Sequence, residues 1–299
     1  MARILKWIVA VFLIFGLIQG VLWWDSRADG FALSKIESNL PVEARWNINP
    51  AAEQYEKALS ALSQPYTYLA HGFQCYAFES ADKQYVLKFF RHQRLRLPDF
   101  VMKLPAMPIF EEWRTTRIMS LNRRREYLMR SCKTAQEHAA YETGLIFTHL
   151  NMTKNLFPTV EITDKIGRTY QVSLDDCQFI VQYKAEHIKP TFKKLVQEGK
   201  LDEAKLRIKQ IFDLLATCAK RGVQDNDNAL IYKNNIGFLP DRAIYIDGGK
   251  LVLKKVPLKK DRFVKDLNRL KPLLRWMKEE TPGLVPYFRD AEQQAINSY

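Results

Sequence analysis

Asp225, Asp227 and Asp247 stand close together in the second half of this chain, with Asn234 and Asn235 between them. Carboxylates and amide oxygens gathered at one point need cations or water among them. An all-oxygen donor set of this kind suits Mg²⁺, with phosphate oxygens completing its shell. The residues between Asn235 and Asp247 favour such a meeting. Stretches 235–238 and 243–246 read as short strands, and Leu239-Pro240-Asp241-Arg242 reads as the turn joining them. A hairpin there returns Asn235 and Asp247 to one end of a small sheet. The bland alternative is an acidic, Asn-rich surface turn built on the local hydrogen bonds of Asp and Asn side chains. Far upstream, Lys88 interrupts the strand-forming run QYVLKFF at 84–90. Taken alone, a lysine in such a run is an outward-facing strand residue.

The elements that must position these residues follow from hydrophobic periodicity and turn chemistry. Segments near 66–69, 75–78 and 84–90 read as a three-stranded antiparallel meander, with turns at His71-Gly72 and Ala81-Asp82-Lys83. A basic insert over 91–125 contains Pro98, Pro105 and Pro108, which argue against a single helix. Residues 125–150 read as mostly helical, weakened near the end by Gly144, and two further strands are expected near 159–163 and 171–183. The clearest helix spans 201–221. Ala204, Ile208, Ile211, Phe212, Leu215 and Ala219 share one face, Asp202 and Glu203 occupy the first turn, and Gly222 ends it.

This order of elements resembles the protein-kinase-like fold over roughly residues 65–255. Val86-Leu87-Lys88 is similar to the kinase strand whose lysine pairs with nucleotide phosphates. Residues 69–77 match the span of the glycine-rich loop, although only Gly72 remains of its glycines; Ala70 and Cys75 stand at the others. The resemblance implies a glutamate partner for Lys88 on the following helix. Glu142 fits that role, with Glu137 as the alternative and a solvated helix acid as the plain reading of both. It also implies a catalytic aspartate five residues after Gly222, which is Asp227, and a metal site from Asn235 and Asp247, where Asp247-Gly248-Gly249 takes the place of Asp-Phe-Gly. Tyr232 occupies the position expected for the metal-binding asparagine, so an insertion is needed to align Asn235. No Ala-Pro-Glu triplet follows Asp247, and the remaining chain is short for a full substrate lobe. ATP and Mg²⁺ are the cofactors implied. An active phosphotransferase, a pseudokinase retained for binding, and a membrane-surface scaffold without nucleotide chemistry all stay open.

The expected architecture is α+β: a kinase-like two-lobed domain, with a five-stranded antiparallel N-lobe and a reduced helical C-lobe, after an N-terminal transmembrane helix. Residues 7–24 (WIVAVFLIFGLIQGVLWW) are uncharged. As a helix they reach about 27 Å, against about 30 Å of bilayer hydrocarbon. A single-pass membrane protein in contact with the bilayer through 7–24 is therefore expected, with a cleaved signal peptide as competitor. Arg3 and Lys6 slightly favour an inside N-terminus. The corresponding divisions are 1–24 anchor, 25–64 juxtamembrane connector, 65–185 nucleotide-binding part and 186–299 reduced C-lobe.

The chain has 299 residues and a net charge of +13. Part of that charge lies in 250–278, whose spacing of Phe263, Leu267, Leu270, Leu273, Leu274 and Trp276 reads as an amphipathic helix with a basic face. A solvated face explains it most simply. Anionic lipid contact comes next, and nucleic acid last, because no recognition motif accompanies the charge. Cys75, Cys132, Cys177 and Cys218 form no CxxC pair, which excludes the usual zinc and thioredoxin-like spacings.

Overall fold

The computed structural model describes the chain outside residues 1–6, 8–11, 13, 18, 21–22, 24, 104–107, 227–229 and 232–234. The β-rich half begins as the turn residues dictate. β1 (Tyr66–His71), β2 (Cys75–Ser80) and β3 (Tyr85–Phe90) form the antiparallel meander. Period-two burial along β2 drives Tyr76 and Phe78 into the core, where they meet Leu87 and Phe89 of β3.

The five-stranded antiparallel sheet expected from sequence is corrected here. β4 (Leu145–His149), β5 (Thr159–Thr163), β6 (Thr169–Ser173) and β7 (Phe179–Tyr183) extend the sheet to seven strands, in the order β4-β7-β3-β2-β1-β5-β6. The sheet is mixed, because β5 runs parallel to β1. Two local causes separate expectation from structure. Gly144, at φ 62°, takes the left-handed conformation that stops a helix, so the apolar run after it becomes a strand. The run expected over 171–183 is split by a tight turn at Leu174–Asp176, where the Asp175 carboxylate accepts from the Leu156 and Phe157 amides.

The transmembrane helix and single-pass membrane placement are also corrected. Among the described residues no helix is long and apolar enough to cross a membrane. About half of the 7–24 segment lies outside the described residues. The stretch beyond it is no free connector. Phe31 and Ile36 are buried, and Phe31 packs edge-on against Tyr76 and Phe78 at 5.2 and 5.3 Å. Helix α1 (Ala52–Leu62) adds Ala58, Ala61 and Leu62 to the same core.

Helix α2 (Pro108–His138) is longer than the prolines of the insert suggest, since Pro108 stands at its first position, where no amide partner is lost. The single turn α3 (Ala140–Thr143) follows. The helical half contains α4 (Ile188–Gln197) and α5 (Leu201–Lys220). All six apolar residues read from the α5 pattern are buried. Gly222 ends that helix at φ 73°, and a Cβ there would lie 2.8 Å from the Lys254 carbonyl oxygen. Short strands lace this half to the sheet. β8 (Glu186–His187) pairs with β10 (Ile236–Phe238), which pairs with β11 (Ala243–Tyr245); β9 (Val223–Asp225) pairs with β12 (Leu251–Leu253). The basic run divides into α6 (Lys260–Leu267) and α7 (Lys271–Glu280). Their apolar faces, Phe263, Leu267, Leu273 and Leu274 among them, join the core under α5 together with α8 (Val285–Ser298).

Two predictions follow from the packing. A Cβ on Gly237 would sit 2.6 Å from the Glu186 carbonyl oxygen and 2.8 Å from Ile246 Cδ1. Gly237→Ala should therefore cost about 1–3 kcal/mol of stability, measured by denaturant unfolding. His92 and His149 are buried, and burial pushes both down to about 4; the charges of Arg96 and Arg125 add to the effect at His92. In the unfolded chain each titrates near ~6.5. The unfolded state therefore binds more protons between pH 6.5 and 4, and stability is lost as pH falls through that window. The melting temperature should fall between pH 7 and pH 5, and fall less in His149→Asn.

Candidate functional site

A cleft of about 2260 Å³ lies between the sheet and the helical half, and Lys88, Asn235 and Asp247 all line it. Lys88 is held by its strand. Its backbone sits between Ala77 of β2 and Ile180 of β7, which directs the side chain across the sheet face toward the hairpin of β10 and β11. The Nζ donates to the Ile246 carbonyl at 2.6 Å. Burial pushes its pKa down, and the neighbouring Asp247 carboxylate opposes that shift. So the lysine is turned inward, unlike the ordinary strand lysine.

The hairpin behaves as its turn residues require. The Ile246 amide donates to the Asn235 carbonyl at 2.8 Å, which fixes Asn235 and the residue before Asp247 side by side. Asn235 is buried, while the Asp247 side chain is exposed toward the cleft. The Asp247 Oδ1 accepts from the Gly249 amide at 2.9 Å, and Ser131 of α2 donates to the Gly248 carbonyl at 2.8 Å. Both glycines sit in close surroundings. A Cβ on Gly249 would meet Gln74 Oε1, from the β1–β2 turn, and one on Gly248 would lie 3.2 Å from Ala135 Cβ. The Asp-Gly-Gly step is thus the point where turn, hairpin and long helix converge.

Gly72 occupies the β1–β2 turn, at the rim of the cleft. Its amide donates to the Cys75 carbonyl at 2.9 Å, and its carbonyl accepts from Arg91 at 2.7 Å. The amide is therefore engaged in the turn instead of facing a ligand. Cys75 and Cys132 also line the cleft; burial pushes Cys75 up to about 12 and Cys132 well above its usual value, so neither thiol is a nucleophile at neutral pH.

Glu142 requires a correction. It is buried, but its carboxylate is paired with Arg221, at the end of α5, and not with Lys88. Arg221 also donates to the His138 carbonyl at 2.6 Å. The cause is the break between α2 and α3, which turns Glu142 toward the end of α5. Glu137, the alternative, faces Lys133 at 3.5 Å on the outside of α2. The acid beside Lys88 is Asp247. Asp227 lies outside the described residues, as do Tyr232 and Asn234. Asp225 is buried on β9 and paired with Arg269.

Three residues that shape the site escape a sequence reading. Gln182, on β7, is buried; its amide donates to the Thr143 carbonyl and, at 3.2 Å, to that of Tyr245. Its place in an apolar strand pattern was the available signal, since a buried amide needs partners. Arg221 and Arg269 carry no signal, because each reads as one more basic residue near a helix end.

Among the described residues no group of three or more His, Cys, Asp or Glu side chains is placed to hold a metal ion. Asn235 and Asp247 fit Mg²⁺ only as a partial oxygen set that phosphate and water would complete.

No family model matches the chain, and no curated protein matches its sequence. Among solved structures it is similar to the bifunctional kinase-methyltransferase WbdD, at 14% identity and a TM-score of 0.36, over 75% of this chain and 47% of that one. The chain thus spans about half the length of that structure, and the likeness is too slight to transfer an activity.

Removing the cation beside Glu142 leaves a buried carboxylate uncompensated. Arg221→Ala should cost about 2 kcal/mol, discounted for the half-exposed guanidinium. The double variant with Glu142→Gln should recover part of that loss in the same unfolding measurement.

Proposed function

We propose that this chain is a kinase-like protein whose cleft binds ATP with Mg²⁺. Lys88 would hold the phosphates, and Asn235 with Asp247 would ligate the ion. The observation that carries this reading is the convergence of an inward-turned, half-buried lysine and an aspartate at the end of a hairpin, inside a cleft large enough for a nucleotide. A lysine already directed at that corner needs little rearrangement to meet a phosphate, and a positioned charge is what phosphate binding asks of it. The β1–β2 turn closes over the same corner through Gln74.

A second reading within the same fold is binding without phosphoryl transfer, and two observations favour it. Glu142 is engaged by Arg221, which leaves Lys88 without the glutamate that orients it in active kinases. The Gly72 amide is engaged in its own turn. Binding is accordingly the core of the proposal, and transfer through Asp227 is its extension.

Thermal denaturation with ATP and Mg²⁺ tests the core. Saturating nucleotide should raise the melting temperature by about 5 °C, and the rise should vanish in both Lys88→Ala and Asp247→Ala. No shift at millimolar ATP would overturn the reading. Phosphate release that disappears in Asp227→Asn would establish transfer, and release absent from the wild-type chain would establish binding alone.

A further inference from the structure

A second, smaller cavity of about 410 Å³ opens beside the cleft and shares Arg94 and Arg124 with it. Lys35, Arg91, Arg94, Arg96, Arg117 and Arg124 line it, against one acid, Asp25. That acid is already paired with Lys35 at 3.1 Å. Among the described residues Arg94, Arg96, Arg117 and Arg124 have no carboxylate partner. Arg96 and Arg124 reach only backbone carbonyls, at 3.2 and 3.4 Å, and Arg94 and Arg124 rest on the Phe73 ring at 4.7 and 5.3 Å.

Beyond the gathered charge, a further observation indicates a ligand. Arg91 is 8% exposed, and its Nε is buried without a hydrogen-bond partner although the residue lines the cavity. A buried guanidinium N–H left open is costly unless something accepts from it. Converging guanidinium groups repel one another unless an anion lies among them. Their planar forks match phosphate oxygens in a way that lysine does not. The concave shape argues for a compact ligand, since a nucleic-acid strand would follow an extended groove.

We infer that this cavity is an anion site for a compact ligand carrying two or more phosphate groups, separate from the corner occupied by Lys88 and Asp247. The inference stands whether or not the cleft binds nucleotide. Arg94 and Arg124 line both spaces, so a ligand in the cavity would lie against the rim of the cleft.

Calorimetric titration of the full chain with inorganic tripolyphosphate tests the site. One equivalent is expected to bind at the cavity, weakening steeply with added NaCl, and any further equivalent, at the Lys88 corner, to disappear in Lys88→Ala. Arg96→Gln with Arg117→Gln should lower the affinity at least tenfold, whereas Lys88→Ala should leave it within twofold. Both arginines are at least partly exposed, and unchanged melting curves would show that the double variant folds. Binding lost in Lys88→Ala, binding indifferent to the two arginines, or no binding at millimolar tripolyphosphate would each overturn the inference. The source of the phosphate is read from phosphatidylcholine vesicles containing a phosphatidylinositol bisphosphate. Retention on them that tripolyphosphate reverses assigns a lipid headgroup, and binding in solution without retention assigns a free phosphorylated solute.

Discussion

The relation between the sheet and the helical half depends on how two polar side chains, one buried and one half-buried, reach out of neighbouring strands. Lys88 of β3 donates to the Ile246 carbonyl, and Gln182 of β7 donates to the carbonyls of Thr143 and Tyr245. Both sets of acceptors lie at the end of β11 or just before β4, where the backbone would otherwise leave carbonyls buried and unsatisfied. Each donor therefore answers a requirement of the other half. The arrangement fixes the floor of the cleft at the cost of burying one ammonium group, and it places that group beside the exposed carboxylate of Asp247. A hydrophobic strand residue at 88 or 182 could pack, but it could not satisfy those carbonyls.

What the sequence could reveal tracks how local the determining physics is. Helix α5 was legible because its buried face repeats at helical spacing and Gly222 stops it. The hairpin from Asn235 to Asp247 was legible because Pro240 and Asp241 mark its turn. Strand β4 was not, since five apolar-rich residues after a helix look like its continuation until Gly144 is recognised as a left-handed stop. The parallel pairing of β5 with β1 depends on a crossover that no nearby residue encodes. The span at 7–24 met a length rule close to its lower bound, and length with hydropathy is a composition argument that says nothing of where a segment packs. The buried Phe31 and Ile36 that follow belong to the sheet's core.

Partner choice was the least legible part of the candidate site. Glu142 was assigned to Lys88 on spacing along a helix, but the chain breaks at Ala139, and the carboxylate turns to Arg221. Asp225 likewise meets Arg269, from the far end of the chain. In both cases a buried acid is matched by an arginine whose own sequence context is uninformative. Both of these buried acids are neutralised by guanidinium groups, whereas Asp247, at the cleft, keeps an exposed carboxylate beside an ammonium. That contrast separates two buried acid–arginine pairs from a carboxylate left exposed at the cleft.

The same reasoning applies to the excess positive charge. The basic run over 250–278 looked like the place where charge would act, because it is dense in sequence. Folding separates it into two helices whose apolar faces are buried, so its lysines point outward and apart. Arg91, Arg94 and Arg96 instead meet Arg117 and Arg124 across more than twenty residues of chain, around one concavity. Coulomb repulsion rises as separation and dielectric fall, so cations dispersed on a wet surface cost little, while cations gathered around a partly enclosed space cost more. The physically consequential cluster is therefore the one that convergence makes, around the smaller cavity.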